Sequence, residues 1–309
     1  MEETKEYLVL RYSLIEEKQQ ANLADPLPTP KGNAVLAALS QDREFTAKGV
    51  RYGFIGFSEV VPTEGMQFPA KRFYLGKTAK LKKAHIGERI PGDIIETQRD
   101  DWVPLVTVID VETQHIFIRK DWRFGTPEQT IRIVQTGLRE PILSHYNHRV
   151  FVEGKTRVEH FWKVISSHTK VYKLELNLIS PNILETNQKA REALKALKLL
   201  FGQDEVAVKL ESEAGKLQVP KDPVNNYLEY IEEGEGSWAV TTESGHGGGK
   251  RRHSSVENLD IVELTTIDVR PQEDSGQLDL DGGGGSSRIS SEAQLIAQVY
   301  SEMSKIRDR

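Results

Sequence analysis

The chain has 309 residues, 38% of them hydrophobic and 28% charged, with a formal net charge of −5. That length suggests two domains, each able to bury its own core, and the acidic balance confines any polyanion-binding role to a local patch. The absence of cysteine excludes disulfides, thiolate nucleophiles and cysteine-ligated zinc. The N-terminus lacks a signal-peptide pattern and no stretch approaches the ~18 apolar residues that span a bilayer, so no membrane insertion and a cytoplasmic location are expected.

In chain order, KEYLVLRYSLI (5–15) predicts a first strand and DPLPTPKG (25–32) a loop, since proline donates no ladder hydrogen bond. RYGFIGFSEVV (51–61) is aromatic and β-branched and predicts a strand; RFYLGK (72–77) predicts a short one. VPLVTVID (103–110) and QHIFIRK (114–120) flank VET as a hairpin. A helix follows over 125–137, with Thr126 as cap, Pro127 at its first position, Gln129 closing a capping box and Gly137 ending it.

From about 140 strands and helices alternate. Strands are predicted at 148–154, 170–180, 205–211, 237–242 and 258–269. Helices are predicted at 155–168, from about 185 to Phe201, and at 223–234. The expected class is α+β: a β-rich N-terminal part (1–139), a two-layer α/β part (140–280), a Gly/Ser linker (281–289) and a C-terminal helix (290–309). Leu295, Ile296, Val299, Tyr300, Met303 and Ile306 form one stripe of that helix, which must dock on the body or on a second chain.

The charge pattern carries most of the functional signal. Between Lys71 and Arg89 stand Lys71, Arg72, Lys77, Lys80, Lys82, Lys83 and Arg89, with Glu88 the one acid. Spaced so on a strand and its following loop, these cations suit successive phosphates, and Tyr52, Phe54, Phe73 and Tyr74 offer rings for base stacking. The competing description is a solvated edge guarded by lysines. A second cluster, Lys250, Arg251 and Arg252, follows GHGGG (245–249), but it lacks the glycine and Ser/Thr positions of a phosphate loop. Asp110 and Glu112 in VIDVET have the Asp-x-Glu spacing with which DEDD-type exonucleases hold Mg²⁺, and they equally suit a hairpin turn. His145 and His148 are three apart, a spacing that lets two metal ligands share a helical face, yet no third ligand completes a set. From Glu257 to Asp281 eight acids accompany the single base Arg270.

The segment FYLGK, the V-I-D strand of the hairpin, KVYKLELNLISPN and YIEEGEGSWAV together resemble a set of bacterial proteins encoded among phage-defence genes. In architecture the chain is similar to the RexA-like phage-exclusion sensors. The resemblance implies a cytoplasmic nucleic-acid-binding role, DNA favoured, in a homodimer with a partner protein from the same operon; it supplies no catalytic residues. The expected function is therefore a non-enzymatic DNA-binding component of anti-phage defence, with no cofactor and no metal. Lys71, Arg72, Lys77, Lys80, Lys82 and Lys83 would meet phosphates, Lys250, Arg251 and Arg252 would form a second arm, and the terminal stripe would make the dimer or partner contact. Two alternatives stand beside it: a Mg²⁺-dependent nuclease built on Asp110 and Glu112, and an adaptor or inhibitor that presents its acidic C-terminal face.

Overall fold

The computed structural model describes residues 3–17, 24–179, 188–244, 249–266 and 284–307. In order come β1 (Glu3–Glu16), a short helix α1 (Leu36–Leu39), β2 (Arg43–Ala47), β3 (Val50–Glu59), β4 (Phe73–Ile90) and β5 (Asp93–Asp110). Then follow β6 (His115–Arg119), α2 (Pro127–Tyr146), β7 (His148–Gly154), α3 (Val158–Ser166), β8 (Lys170–Ile179) and α4 (Gln188–Phe201). The chain ends with β9 (Glu205–Glu211), α5 (Lys221–Glu232), β10 (Gly236–Glu243), β11 (Arg251–Ser254), β12 (Ile261–Thr266) and α6 (Gly284–Arg307).

The class is α+β, as expected. A large antiparallel sheet has the order β12-β1-β6-β5-β4-β3-β2, with β7 pairing the second half of β1. Because strand side chains alternate, β1 feeds two cores. Leu8, Leu10, Tyr12 and Leu14 face α1 and α2, meeting Val134, Leu138 and Ile142. Tyr7 and Val9 face α6, where Phe73 and Phe117 meet Ile296 and Val299. A second antiparallel sheet, β11-β10-β8-β9, buries one face under α3, α5 and Leu194 of α4. At its centre the Phe161 and Trp238 rings meet edge to face, 5.2 Å apart.

Arg11 on β1 joins the two sheets. Its guanidinium donates to the Glu233 carbonyl at 2.6 Å and pairs with the buried Glu235 carboxylate at 3.0 Å, at the corner between α5 and β10.

Four expectations change. The capping box at Thr126 forms as read, but Gly137 does not end α2, which runs on to Tyr146 and is closed by Asn147 at φ 53°. Gly137 instead lets the Phe45 and Phe54 rings approach: a Cβ there would lie 2.5–2.6 Å from them. Pro141 sits inside the helix and cannot donate to the Gly137 carbonyl; Arg43 supplies that hydrogen bond at 2.6 Å. The chain therefore does not part at 139–140, because α2 crosses that point and β7 and β12 both join the first sheet.

The terminal helix also starts earlier than the expected residue 290, at Gly284, inside the expected linker; 281–283 lie outside the described residues. Its stripe is used within the chain. Leu295, Ile296, Val299 and Met303 are buried on the first sheet and Tyr300 packs beside them. That placement replaces the expected dimer or partner contact; the Ile306 side chain lies outside the described residues.

Candidate functional site

The short strand expected at 72–77 is an 18-residue strand, and the basic strip lies on it rather than on a loop. β4 and β5 pair without a register shift from Phe73↔Asp110 to Ile90↔Asp93. β3 accompanies β4 only to Lys80, and β6 accompanies β5 only from Thr107. Residues 82–90 and 93–101 therefore pair only with each other and form a two-stranded arm about 30 Å long at ~3.3 Å per residue. Pro91 and Gly92 turn it, with Gly92 at φ 87°, the positions proline and glycine take in a type II turn. The signal was in the sequence as isoleucines on either side of Pro-Gly (ERIPGDII), masked by the low β propensity of the lysines.

Alternation along β4 divides the strip between two sheet faces, with Lys77 and Lys83 on one and Lys80 and Lys82 on the other. Several of these cations are also engaged. Arg72 is nearly buried, binds both oxygens of Asp110 at 3.0 and 2.7 Å and reaches Glu112 at 3.0 Å. Its guanidinium also lies 5.1 Å from the Phe73 ring and 5.2 Å from that of Tyr300. Lys80 donates to the Phe124 carbonyl at 2.6 Å, and burial, then the neighbouring Lys82, lower its pKa. Lys83 pairs with Asp100 at 2.5 Å, which holds that carboxyl below its ordinary range. Lys71, Lys77 and Lys82 carry no ion pair among the described residues. Tyr52, Phe54 and Phe73, three of the four rings expected to stack on bases, are core residues and covered, and Tyr74 is partly buried against the same core.

The second basic cluster belongs to the other sheet, on its edge strand β11 and the residue before it. Lys250 lies 4.0 Å from the Tyr172 ring centroid, Arg252 reaches Glu175 at 3.5 Å, and Arg251 is exposed. Residues 245–248 lie outside the described residues. Of the acidic run, Glu257, Asp260 and Glu263 are described, and Asp260 pairs with Arg157 at 2.7 Å; Asp268, Glu273, Asp274, Asp279 and Asp281 lie outside.

Asp110 is fully buried and its hydrogen bonds are local. Besides Arg72, it accepts from the Glu112 and Thr113 amides at 3.0 and 3.3 Å and from the Thr113 hydroxyl at 2.7 Å. That is how an aspartate closes a hairpin turn. A guanidinium thus occupies the place where a carboxylate pair would receive a divalent cation, and Glu112 is drawn onto the same arginine. Thr113 Oγ also meets His115 Nδ1 at 2.9 Å. Burial, then Lys155 and Arg11, hold the His115 imidazole well below its ordinary pKa, so it is neutral. An acid, a hydroxyl and an imidazole are in line, but the hydroxyl sits in the middle and donates to the acid. A nucleophilic triad needs the imidazole between them. His145 and His148 do not share a helical face either, since Asn147 ends α2 between them and His148 opens β7.

The arm has two unlike faces. On one lie Lys83, His85, Arg89, Glu96, Gln98 and Asp100, with Ile94 leaning over Gly87. On the other, Ala84, Ile86, Ile90, Ile95 and Thr97 form a mainly apolar patch with Glu88 and Asp93 near the tip. Ile86, Ile90, Ile94 and Ile95 are 42%, 37%, 69% and 43% exposed, too much for a core and unusual for four β-branched residues so close together. The arm's charges nearly cancel: Lys82, Lys83, Arg89 and Arg99 against Glu88, Asp93, Glu96, Asp100 and Asp101. A second exposed apolar cluster, Leu199, Leu200 and Phe201, ends α4. Among the described residues no helix is long and apolar enough to cross a membrane, and no three His, Asp or Glu side chains group as a metal site would require. No protein-family model and no curated protein match the chain.

Proposed function

We propose that this chain is a protein-binding component that works through its β4–β5 arm. One observation carries this: a two-stranded ribbon stands clear of the sheet with Ile86, Ile90 and Ile95 exposed on one face and charges that almost cancel. An apolar centre rimmed by mixed charge is the pattern of a protein contact. A ribbon of two strands is also marginal by itself, so covering the apolar face would stabilise it. The adaptor role expected from the acidic C-terminal segment is thereby moved to the arm.

Nucleic-acid binding is the second function, favoured by cations that carry no ion pair among the described residues: Lys82, Arg89 and Arg99 on the ribbon, and Lys71 and Lys77 nearer the sheet. A two-stranded ribbon fits the major groove, and such contacts to the backbone would be non-specific and steeply salt-dependent. The acids interleaved on the arm oppose it.

One experiment separates the two. A photo-crosslinking residue at Ile95 is expected to give a discrete protein adduct in cells that disappears with Ile86→Ser/Ile90→Ser. In parallel, DNA is titrated at two salt concentrations against wild type and Lys77→Glu/Lys82→Glu/Arg89→Glu. A salt-dependent complex lost in that variant, with no protein adduct, would put nucleic acid first.

A further inference from the structure

We infer that the protein bound by the arm is a second copy of this chain, the two arms lying face to face and antiparallel. This rests on the protein-binding role proposed above and names the partner. The evidence is the order of side chains along the apolar face. Near the tip it carries two acids, Glu88 and Asp93. Ile90 lies across from Asp93 and Ile95 across from Glu88 in those same tip rows, and the middle row is Ile86 across from Thr97. Toward the root it carries Lys82 and Arg99, with Asp101 directly across from Lys82. Neither Glu88, Lys82 nor Arg99 has an ion-pair partner among the described residues, and Asp93 bonds only the amide of Ile94, at 2.7 Å.

The face is therefore acidic and apolar at the tip, carries Ile86 and Thr97 at its middle, and is basic, less one acid, at the root. Laid on itself in the same direction, it brings acids onto acids. Turned end for end about the Ile86–Thr97 row, it sets Asp93 and Glu88 of each tip near Lys82 and Arg99 of the other root, Ile86 against its own copy, and Ile90 and Ile95 over the Lys82 stem and Ala84. A two-fold axis does this with one patch, the self-complementary arrangement of symmetric dimers. The contact needs no other element, which agrees with the terminal helix being covered by its own sheet.

The test is sedimentation velocity on the purified full chain over a range of micromolar concentrations, with two charge-reversed variants. Wild type is expected to pass from monomer to dimer. Glu88→Lys/Asp93→Lys and Lys82→Glu/Arg99→Glu should each weaken the dimer by about tenfold or more, as loss of paired charge at an interface does. Mixing the two variants should restore a dimer, a rescue that misfolded chains would not give. A wild type that stays monomeric at every concentration overturns the inference, as does a mixture that fails to recover. The protein-binding role is judged separately: a monomeric chain whose Ile95 crosslinker still captures a different protein retains that role and loses only self-association.

Discussion

The two halves of β4 belong to one strand and follow opposite rules. From Phe73 to Lys80 the strand lies between two neighbours, and Phe73, Leu75 and Ala79 are buried. From Lys82 onward it has one neighbour and the side chains face water. Two cations at this anchored end are structural: Arg72, just before the strand, holds Asp110 and the hairpin turn, and Lys80 holds the Phe124 carbonyl. A cation on the outer half, such as Arg89, is free to meet a partner. A run of like residues in sequence therefore does not make one surface; the number of neighbouring strands decides what each charge does.

The comparison breaks most sharply at Arg72. Arg72→Ala leaves the Asp110 carboxylate buried and without its cation, and removing one member of a buried pair costs about 3–5 kcal/mol. Urea denaturation should show that loss. A change below about 1 kcal/mol would mean that Asp110 is satisfied by the turn amides and Thr113 alone.

Next in size is Gly137, where the anchored part of the sheet presses on α2. A methyl there meets the Phe45 and Phe54 rings. The strain, about 1–3 kcal/mol, exceeds the ~1 kcal/mol alanine gains in helix propensity, leaving Gly137→Ala destabilised by about 1 kcal/mol. A more stable variant would show that the rings move aside freely.

How much of this the sequence disclosed depends on where the deciding neighbours lie. The cap of α2 was legible because Thr126, Pro127 and Gln129 act within one turn. The hairpin at Asp110 was legible as a polar turn between two apolar strands. Gly137 was not, because it mimics a helix stop locally and its reason lies on β2 and β3. Nor was the role of Arg72, whose partner is 38 residues away. The stripe on α6 was read correctly as a face needing cover, but the sheet that covers it is assembled from strands far along the chain. The arm went unseen because its lysines hide the strand and its isoleucines have no periodic run behind them.

Glu153 tests an intermediate case, a carboxyl held largely out of water on β7. Burial, then the nearby Glu205, raise its pKa to about 7. The sign follows from linkage: the folded state holds this proton more tightly than the unfolded one, so the stability it lends is full below about pH 4.5 and falls as pH rises toward 7. Above that it is flat. Glu153→Gln should abolish this slope, so that wild type and variant diverge progressively between those limits in denaturation curves measured at several pH values. Parallel curves would show Glu153 to be solvated.

The smallest effect belongs to the arm's own ion pair. Lys83 and Asp100 are both exposed, and a pair in water gains little because solvent screens it and ordering two side chains costs entropy. Lys83→Ala should leave the denaturation midpoint within scatter, although its bond is among the shortest in the molecule. If the midpoint instead drops measurably, and more so at high protein concentration, Lys83 is not in water in solution. A second chain must then be covering the root of the arm. That outcome would extend the contact from the apolar face to the face that carries Lys83.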